Sequence, residues 1–218
     1  RCCFSNLRSR PESIRPMTPE LVTPTIILLS WALAGFFLGS IPFGLIIARV
    51  MGLGDLSQIG SGNIGATNVL RTGSKLGAGA TLFADVGKAG AVVILARFLA
   101  ADDAAQLAGL AAFLGHCYPV WLRFKGGKGV ATFFGLSFAL AWPIALAIAA
   151  AWLIMATAFK YSSLASLTAA AIFPIFILFF SYNSLLALSI ALTVLIFWKH
   201  KENIRRLLNS TESKIGQK

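Results

Sequence analysis

Two glycine-rich, basic segments hold the residue types that bind anions. The first reads Gly60-Ser61-Gly62-Asn63-Ile64-Gly65-Ala66-Thr67-Asn68-Val69-Leu70-Arg71. Glycines let a backbone turn its N–H groups toward an anion, Ser, Thr and Asn add neutral hydrogen bonds, and Arg71 adds a charged fork that matches phosphate. The string also satisfies G-x-G-x-x-G, with Asp85 twenty residues past Gly65. A dinucleotide fingerprint needs a preceding strand and a βαβ unit. Here an apolar run precedes the segment and Asp85 falls inside the next one, so that reading fails. The second segment reads Phe124-Lys125-Gly126-Gly127-Lys128-Gly129-Val130-Ala131-Thr132 and places glycines around a lysine at the start of a helix, whose dipole favours an anion. It is not a Walker A motif, because Gly129 stands where Ser or Thr must follow the lysine. In the tail, His200 and Asn203 are three apart on one helical face, and His200 has the type of a general base.

Other ionisable residues point to structure. Asp85 and Lys88 share a helical face and read as an ion pair turned into a bundle. His116 and Tyr118 read as anchors of the second segment at an interface. Cys2, Cys3 and Cys117 give no disulfide framework and no paired C-x-x-C. With two distant histidines and scattered carboxylates, no metal and no cofactor is expected.

The elements that position these segments are membrane helices. Hydrophobic residues make up 57% of the 218 and charged ones 12%, against ~25% charged in soluble domains; mean hydropathy is +0.77. Residues 26–48, 104–122, 129–159 and 161–198 hold no Asp, Glu, Lys or Arg. The last run has 38 residues, about 57 Å as helix, and so crosses a ~30 Å hydrocarbon core twice, turning at Ser181-Tyr182-Asn183-Ser184. Pro143, after Trp142, divides the 129–159 run. Seven spans follow, near 25–48, 77–99, 104–121, 129–141, 143–159, 163–180 and 184–199. With this count Arg71, Lys75, Arg123, Lys125, Lys128, Lys160 and the tail share one side, and Arg97 is the one basic exception. The fold class is therefore all-α: a polytopic membrane protein of seven transmembrane helices, N-terminus outside and C-terminus cytoplasmic. Ile204, Leu207 and Leu208 extend the last span as an interfacial amphipathic helix. The net charge of +11 reads as loop charge facing anionic lipid or anionic substrate, and no nucleic acid partner is expected. Residues 1–16 read as a non-native or disordered extension before Met17, and 17–218 as a single integral membrane domain.

The motifs, in order, resemble the acyl-phosphate:glycerol-3-phosphate acyltransferases of bacterial phospholipid synthesis. The resemblance runs from about Leu38 to Glu212 and rests on Gly39-Ser40-Ile41-Pro42-Phe43-Gly44, on Ser61 to Asn68 with Arg71, on Gly115-His116 through Phe124 to Thr132, on Ser163-Leu164-Ala165-Ser166, and on His200-Lys201-Glu202-Asn203-Ile204. It implies seven helices with the active site at the cytoplasmic face of the bacterial inner membrane. The implied reaction moves an acyl group from acyl phosphate to the 1-hydroxyl of glycerol 3-phosphate, giving lysophosphatidate and inorganic phosphate. The implied partners are these two substrates, membrane lipid, and an enzyme that makes acyl phosphate.

By resemblance the active-site positions fall on Ser61, Thr67, Asn68, Arg71, Lys128, Ser166, His200 and Asn203. Ser61, Arg71, Lys128, His200 and Asn203 are taken as catalytic. Gly62, Asn63, Gly65, Thr67, Asn68, Gly126, Gly127, Gly129 and Ser166 are taken as substrate-binding. Arg123, Lys160, Arg205 and Arg206 are taken only to set orientation. Neither histidine begins an H-x-x-x-x-D string, since His116 leads to Trp121 and His200 to Arg205, which argues against a coenzyme-A-dependent class. The alternative is a transporter of a phosphorylated solute, whose broken helices and loops this pattern also fits.

Overall fold

The structure, a computed structural model, describes residues 16–60 and 62–216. The expected extension before Met17 lies outside the described residues except for Pro16. Among the described residues every regular element is helical: α1 (Thr25–Gly39), α2 (Phe43–Val50), α3 (Ala66–Leu70), α4 (Lys75–Leu99), α5 (Asp102–Cys117), α6 (Val130–Phe159), α7 (Ser162–Phe179), α8 (Leu186–Lys199) and α9 (Lys201–Leu208). Three stretches, Thr25–Val50, Val130–Phe159 and Ser162–Phe179, are long and apolar enough to cross a membrane. A fourth candidate joins Asn183–Lys199 to Lys201–Leu208 through a 61° bend.

Two of these stretches are interrupted, each at a proline. Inside α6, Ala141 leaves helical geometry (φ −151°, ψ 73°), so the run breaks where Pro143 predicts. The expected span over 25–48 also carries a break: α1 stops at Gly39 and α2 begins only at Phe43, after Pro42, while Thr25–Val50 as a whole keeps the length and apolarity of one span. Proline has no N–H and disfavours helix in the residue before it, here Ile41. A break in an apolar run exposes carbonyls that need donors, and in both places a cation of α4 supplies one. Lys88 Nζ donates to the Ile41 carbonyl at 2.9 Å. Arg97 Nη1 donates to the Ala139 carbonyl at 3.0 Å, the acceptor left without its helical partner by Pro143. Arg97 is held in turn by Asp102 at 2.6 Å. The one basic residue that fits the charge asymmetry poorly is thus tied to a helix break.

Small residues set the helix spacing. A Cβ placed on Gly39 would lie 2.1 Å from the Ala112 carbonyl oxygen, and one on Gly115 would lie 2.1 Å from that of Phe36. The backbones of α1 and α5 therefore touch. Toward the centre, Phe113, Phe133 and Phe173 are buried, and the last two meet edge to face with centroids 5.2 Å apart. Large side chains such as Phe83 and Phe98 point outward, as lipid-facing residues do. Gly39→Val is expected to destabilise the protein by about 3 kcal/mol, the upper range for overpacking. Thermal unfolding in detergent measures this, and an unchanged midpoint would contradict the close approach.

Candidate active site

The first segment folds into a turn, two left-handed glycines and the short helix α3. Gly60 and Gly62 have φ of 53° and 65°, which side chains other than glycine rarely adopt. Arg71 and Asn68 lie over Gly60, where a Cβ would come within 2.5 Å of Arg71 Cδ and 2.8 Å of Asn68 Oδ1. Asn68 Nδ2 donates to the Leu56 carbonyl at 2.9 Å, binding α3 to the turn before it. Thr67 Oγ1 lies 3.2 Å from Ser162 Oγ at the start of α7. Asn63 Oδ1 is buried with no hydrogen-bond partner among the described residues.

The second segment differs from the expected cradle. The N–H groups of Gly126 and Gly127 are committed to the chain's own carbonyls, of Cys117 at 3.3 Å and His116 at 3.0 Å. What faces the cavity is the start of α6, with Lys128, Gly129, Val130 and Ala131. The first N–H groups of a helix have no intrahelical acceptor, so this end remains suited to an anion.

The third segment closes the site. His200 is buried, and its Nδ1–H donates to the Ile196 carbonyl at 2.8 Å, which leaves Nε2 as an acceptor. Asn203 Oδ1 accepts from Lys128 Nζ. Its Nδ2 donates to Glu212 Oε1 at 2.6 Å. Ser163 Oγ donates to the same oxygen at 2.7 Å, and Arg206 Nε donates to Oε2 at 2.6 Å. Arg71 Nη2 reaches Ser213 Oγ at 2.5 Å. Ser166 Oγ accepts from Trp152 Nε1 at 3.0 Å and donates to the Ser162 carbonyl at 2.8 Å.

These groups line a cavity of about 760 Å³. Its lining combines polar and charged residues, among them Arg71, Lys128, Asn203, Arg206, Asp85 and His116, with apolar ones, among them Leu82, Val86, Phe134, Phe138 and Leu153. Burial draws the Lys128 ammonium down to about 8, partly offset by Glu212 and reinforced by the charges of Arg206, Arg71 and Lys199. Burial, then the Lys128 charge, lowers His200 to about 4, so its imidazole is neutral at pH 7. Burial would raise the Glu212 carboxyl, but hydrogen bonds from Ser163, Asn203 and Arg206 and the Arg206 charge outweigh it and hold it below the ordinary value.

Of the residues expected from sequence, Arg71, Lys128, His200, Asn203, Asn63, Gly65, Thr67, Asn68, Gly129 and Ser166 meet around this cavity. Gly62, Gly126 and Gly127 do not line it, and Ser61 lies outside the described residues. Arg206, expected only to orient the chain, reaches the cavity and pairs with Glu212. Sequence reasoning gave no role to Glu212, Ser163, Ser213 or Trp152. The one available signal was that Ser163 falls within a resembling motif; Glu212 lies beyond the last of them, at the end of the resembling stretch.

The glycerol-3-phosphate acyltransferase family model matches residues 29–210. A glycerol-3-phosphate acyltransferase of Dinoroseobacter shibae is 58% identical over 200 residues, covering 92% of this chain and 98% of that protein. The one of Ruegeria pomeroyi is 55% identical over 200 residues, with 92% and 98% covered. Among solved structures, PlsY (YgiH), an integral membrane glycerol 3-phosphate acyltransferase, matches in its glycerol 3-phosphate form with a TM-score of 0.82 at 38% identity, covering 87% of this chain and 96% of that one. Its lysophosphatidic acid form matches with a TM-score of 0.80, also at 38% identity, covering 87% and 95%. Sequence and fold agree along nearly the whole length, and this integral membrane chain belongs to the glycerol-3-phosphate acyltransferase family.

Proposed function

We propose that the protein transfers an acyl group from acyl phosphate to the 1-hydroxyl of sn-glycerol 3-phosphate, forming lysophosphatidate and inorganic phosphate. One observation carries this reading: a single cavity is lined both by the Arg71 and Lys128 cations and by apolar side chains such as Phe134, Phe138 and Leu153. That combination suits two phosphates and one hydrocarbon chain. The PlsY relative, solved in glycerol 3-phosphate and lysophosphatidic acid forms, supports the acceptor and the product.

On this reading Arg71 and Lys128 neutralise the phosphates, and the N-terminus of α6 adds N–H donors. Thr67, Asn68, Asn63 and Asn203 orient the substrates with Ser61, and Ser166 with Trp152 closes the cavity beside the acyl chain. The glycerol oxygen attacks the acyl carbonyl carbon, the bond from that carbon to the phosphate oxygen breaks, and inorganic phosphate leaves. His200 Nε2 accepts the attacking hydroxyl's hydrogen bond and orients it. An imidazole of pKa about 4 is a weak base, so the departing phosphate takes the proton. Positioning and electrostatics then supply most of the rate.

The same reading sets the chain as seven spans in the bacterial inner membrane. The break at Ala141, where this count divides the 129–159 run, and the basic loops support this arrangement, which turns the cavity to the cytoplasm beside an enzyme that supplies acyl phosphate. Family membership sets the transporter alternative aside.

The test uses purified protein with synthetic acyl phosphate and glycerol 3-phosphate, following lysophosphatidate and inorganic phosphate. Both products are expected in equal amounts. Product from an acyl thioester of coenzyme A, with none from acyl phosphate, would overturn the donor assignment.

A further inference from the structure

Beside the Gly126-Gly127-Lys128 segment lies a buried polar cluster of Lys88, Asp85 and His116, the last two at the cavity wall, to which the proposed reaction gives no role. Lys88 Nζ is 2.7 Å from Asp85 Oδ1, 2.9 Å from the Ile41 carbonyl and 3.1 Å from His116 Nδ1. The contacts to the carbonyl and the ring are hydrogen bonds, and the one to Asp85 is a close ion pair. Lys88, Asp85 and His116 are each at most 5% exposed. The cluster ties α4, the break between α1 and α2, and the end of α5 to one point.

The other edge of the His116 ring meets the segment itself. A Cβ on Gly127 would lie 2.0 Å from His116 Nε2, 2.8 Å from Cε1 and 2.9 Å from Cδ2, so the ring end sits directly on the glycine. The backbone of His116 holds the same residue, accepting from Gly127 N–H at 3.0 Å. Gly126 is boxed in as well, with a Cβ there 2.3 Å from both the His116 carbonyl oxygen and Pro119 Cδ. Lys128 follows at once and reaches Asn203 across the cavity.

We propose that His116, fixed from behind by Lys88 and Asp85, is a positioning residue: the end of its ring sets the height of Gly127 and through it the reach of Lys128 into the site. A buried ion pair is weak support for stability, because apolar replacements of similar volume are often neutral or better. Holding a ring in one place is a task that apolar side chains do poorly. The inference rests on the reading that Lys128 meets a substrate phosphate.

The test is a double-substitution cycle on the full-length protein in detergent, with two readouts: kcat/KM for acyl transfer and the Kd for glycerol 3-phosphate by calorimetry. Gly127→Ala alone drives a methyl into the ring and is expected to lower kcat/KM about 100-fold, the scale of a 1 Å misplacement. His116→Ala alone is expected to lower it about 10-fold or more, as the segment loses its support. Combined, the methyl occupies space that the ring has left, and the double variant is expected to be no worse than His116→Ala. Glycerol 3-phosphate affinity follows the same order.

Losses that simply multiply, or a Gly127→Ala variant with wild-type kinetics and affinity, would overturn the proposal. If His116→Ala does not fold, His116→Met replaces it in the cycle, since a flexible side chain also yields to the methyl. A wild-type protein inactive with acyl phosphate would count against the donor assignment, while the affinity readout would still decide the positioning role.

Discussion

Lys128→Met lowers kcat/KM about 1000-fold in the expected result, and the alkaline fall in wild-type activity disappears with the lysine. The magnitude is that of removing one well-placed charge from a developing or transferring anion. The pH dependence follows from the lowered ammonium at about 8. Lys128 is charged below that pH and neutral above it, so wild-type kcat/KM, which reports the free enzyme, falls as pH rises through about 8. A guanidinium stays charged throughout that range. Lys128→Arg therefore gives a flat alkaline profile at reduced activity, because its fork cannot reproduce the contact to Asn203. A pH series of kcat/KM over 6 to 10 for the three proteins measures this. An alkaline limb that persists in Lys128→Arg would assign it to another group.

Glu212→Gln is the second large effect. One carboxylate gathers Ser163 from α7, Asn203 and Arg206 from α9, and through Asn203 it steadies Lys128. Glutamine keeps one acceptor oxygen but turns an NH₂ toward either Arg206 or the Ser163 and Asn203 donors, so at least one donor faces another. With Arg206 39% exposed, the lost pair is discounted for solvent, leaving about 1–3 kcal/mol of stability. Activity is expected to fall about 100-fold, since Asn203 and Lys128 lose their common support. Side-by-side kinetics and thermal unfolding separate the two losses. Unchanged kcat/KM in Glu212→Gln would show that Lys128 and Asn203 hold each other without it.

Arg71, Lys128 and Asn203 could be read from the sequence because charge, glycine context and helical spacing are local properties. Their meeting could not be read so easily, since it depends on a tail that folds back over α3 and α7. Glu212 is a lone acid in a polar stretch, and nothing in its neighbours separates it from a solvated surface residue. Its role appears only when Ser163, 49 positions away, comes within 2.7 Å. The glycines of the second segment misled for a different reason. Gly126 and Gly127 invite an anion-binding reading, yet their need is steric, imposed by His116 and Pro119. Proline carried information unevenly too. Pro143 marks a true break and Pro42 marks another that a charge-free run concealed, whereas Pro174 sits within α7 with no interruption.

The two helix breaks answered by Lys88 and Arg97 bear on how the chain assembles. In hydrocarbon an unanswered backbone carbonyl costs several kcal/mol. The segment around Ile41 leaves the ribosome before the lysine that completes it, and the segment around Ala139 emerges after its arginine is already in place. The Ile41 carbonyl has a local donor before then, the Phe43 N–H at 3.1 Å, so Lys88 adds a second donor to a bend that the first helix pair can already make. The break in α6, in contrast, meets a donor that is already waiting. Residues 75–99 thus secure the earlier bend after the fact and prepare the later one in advance.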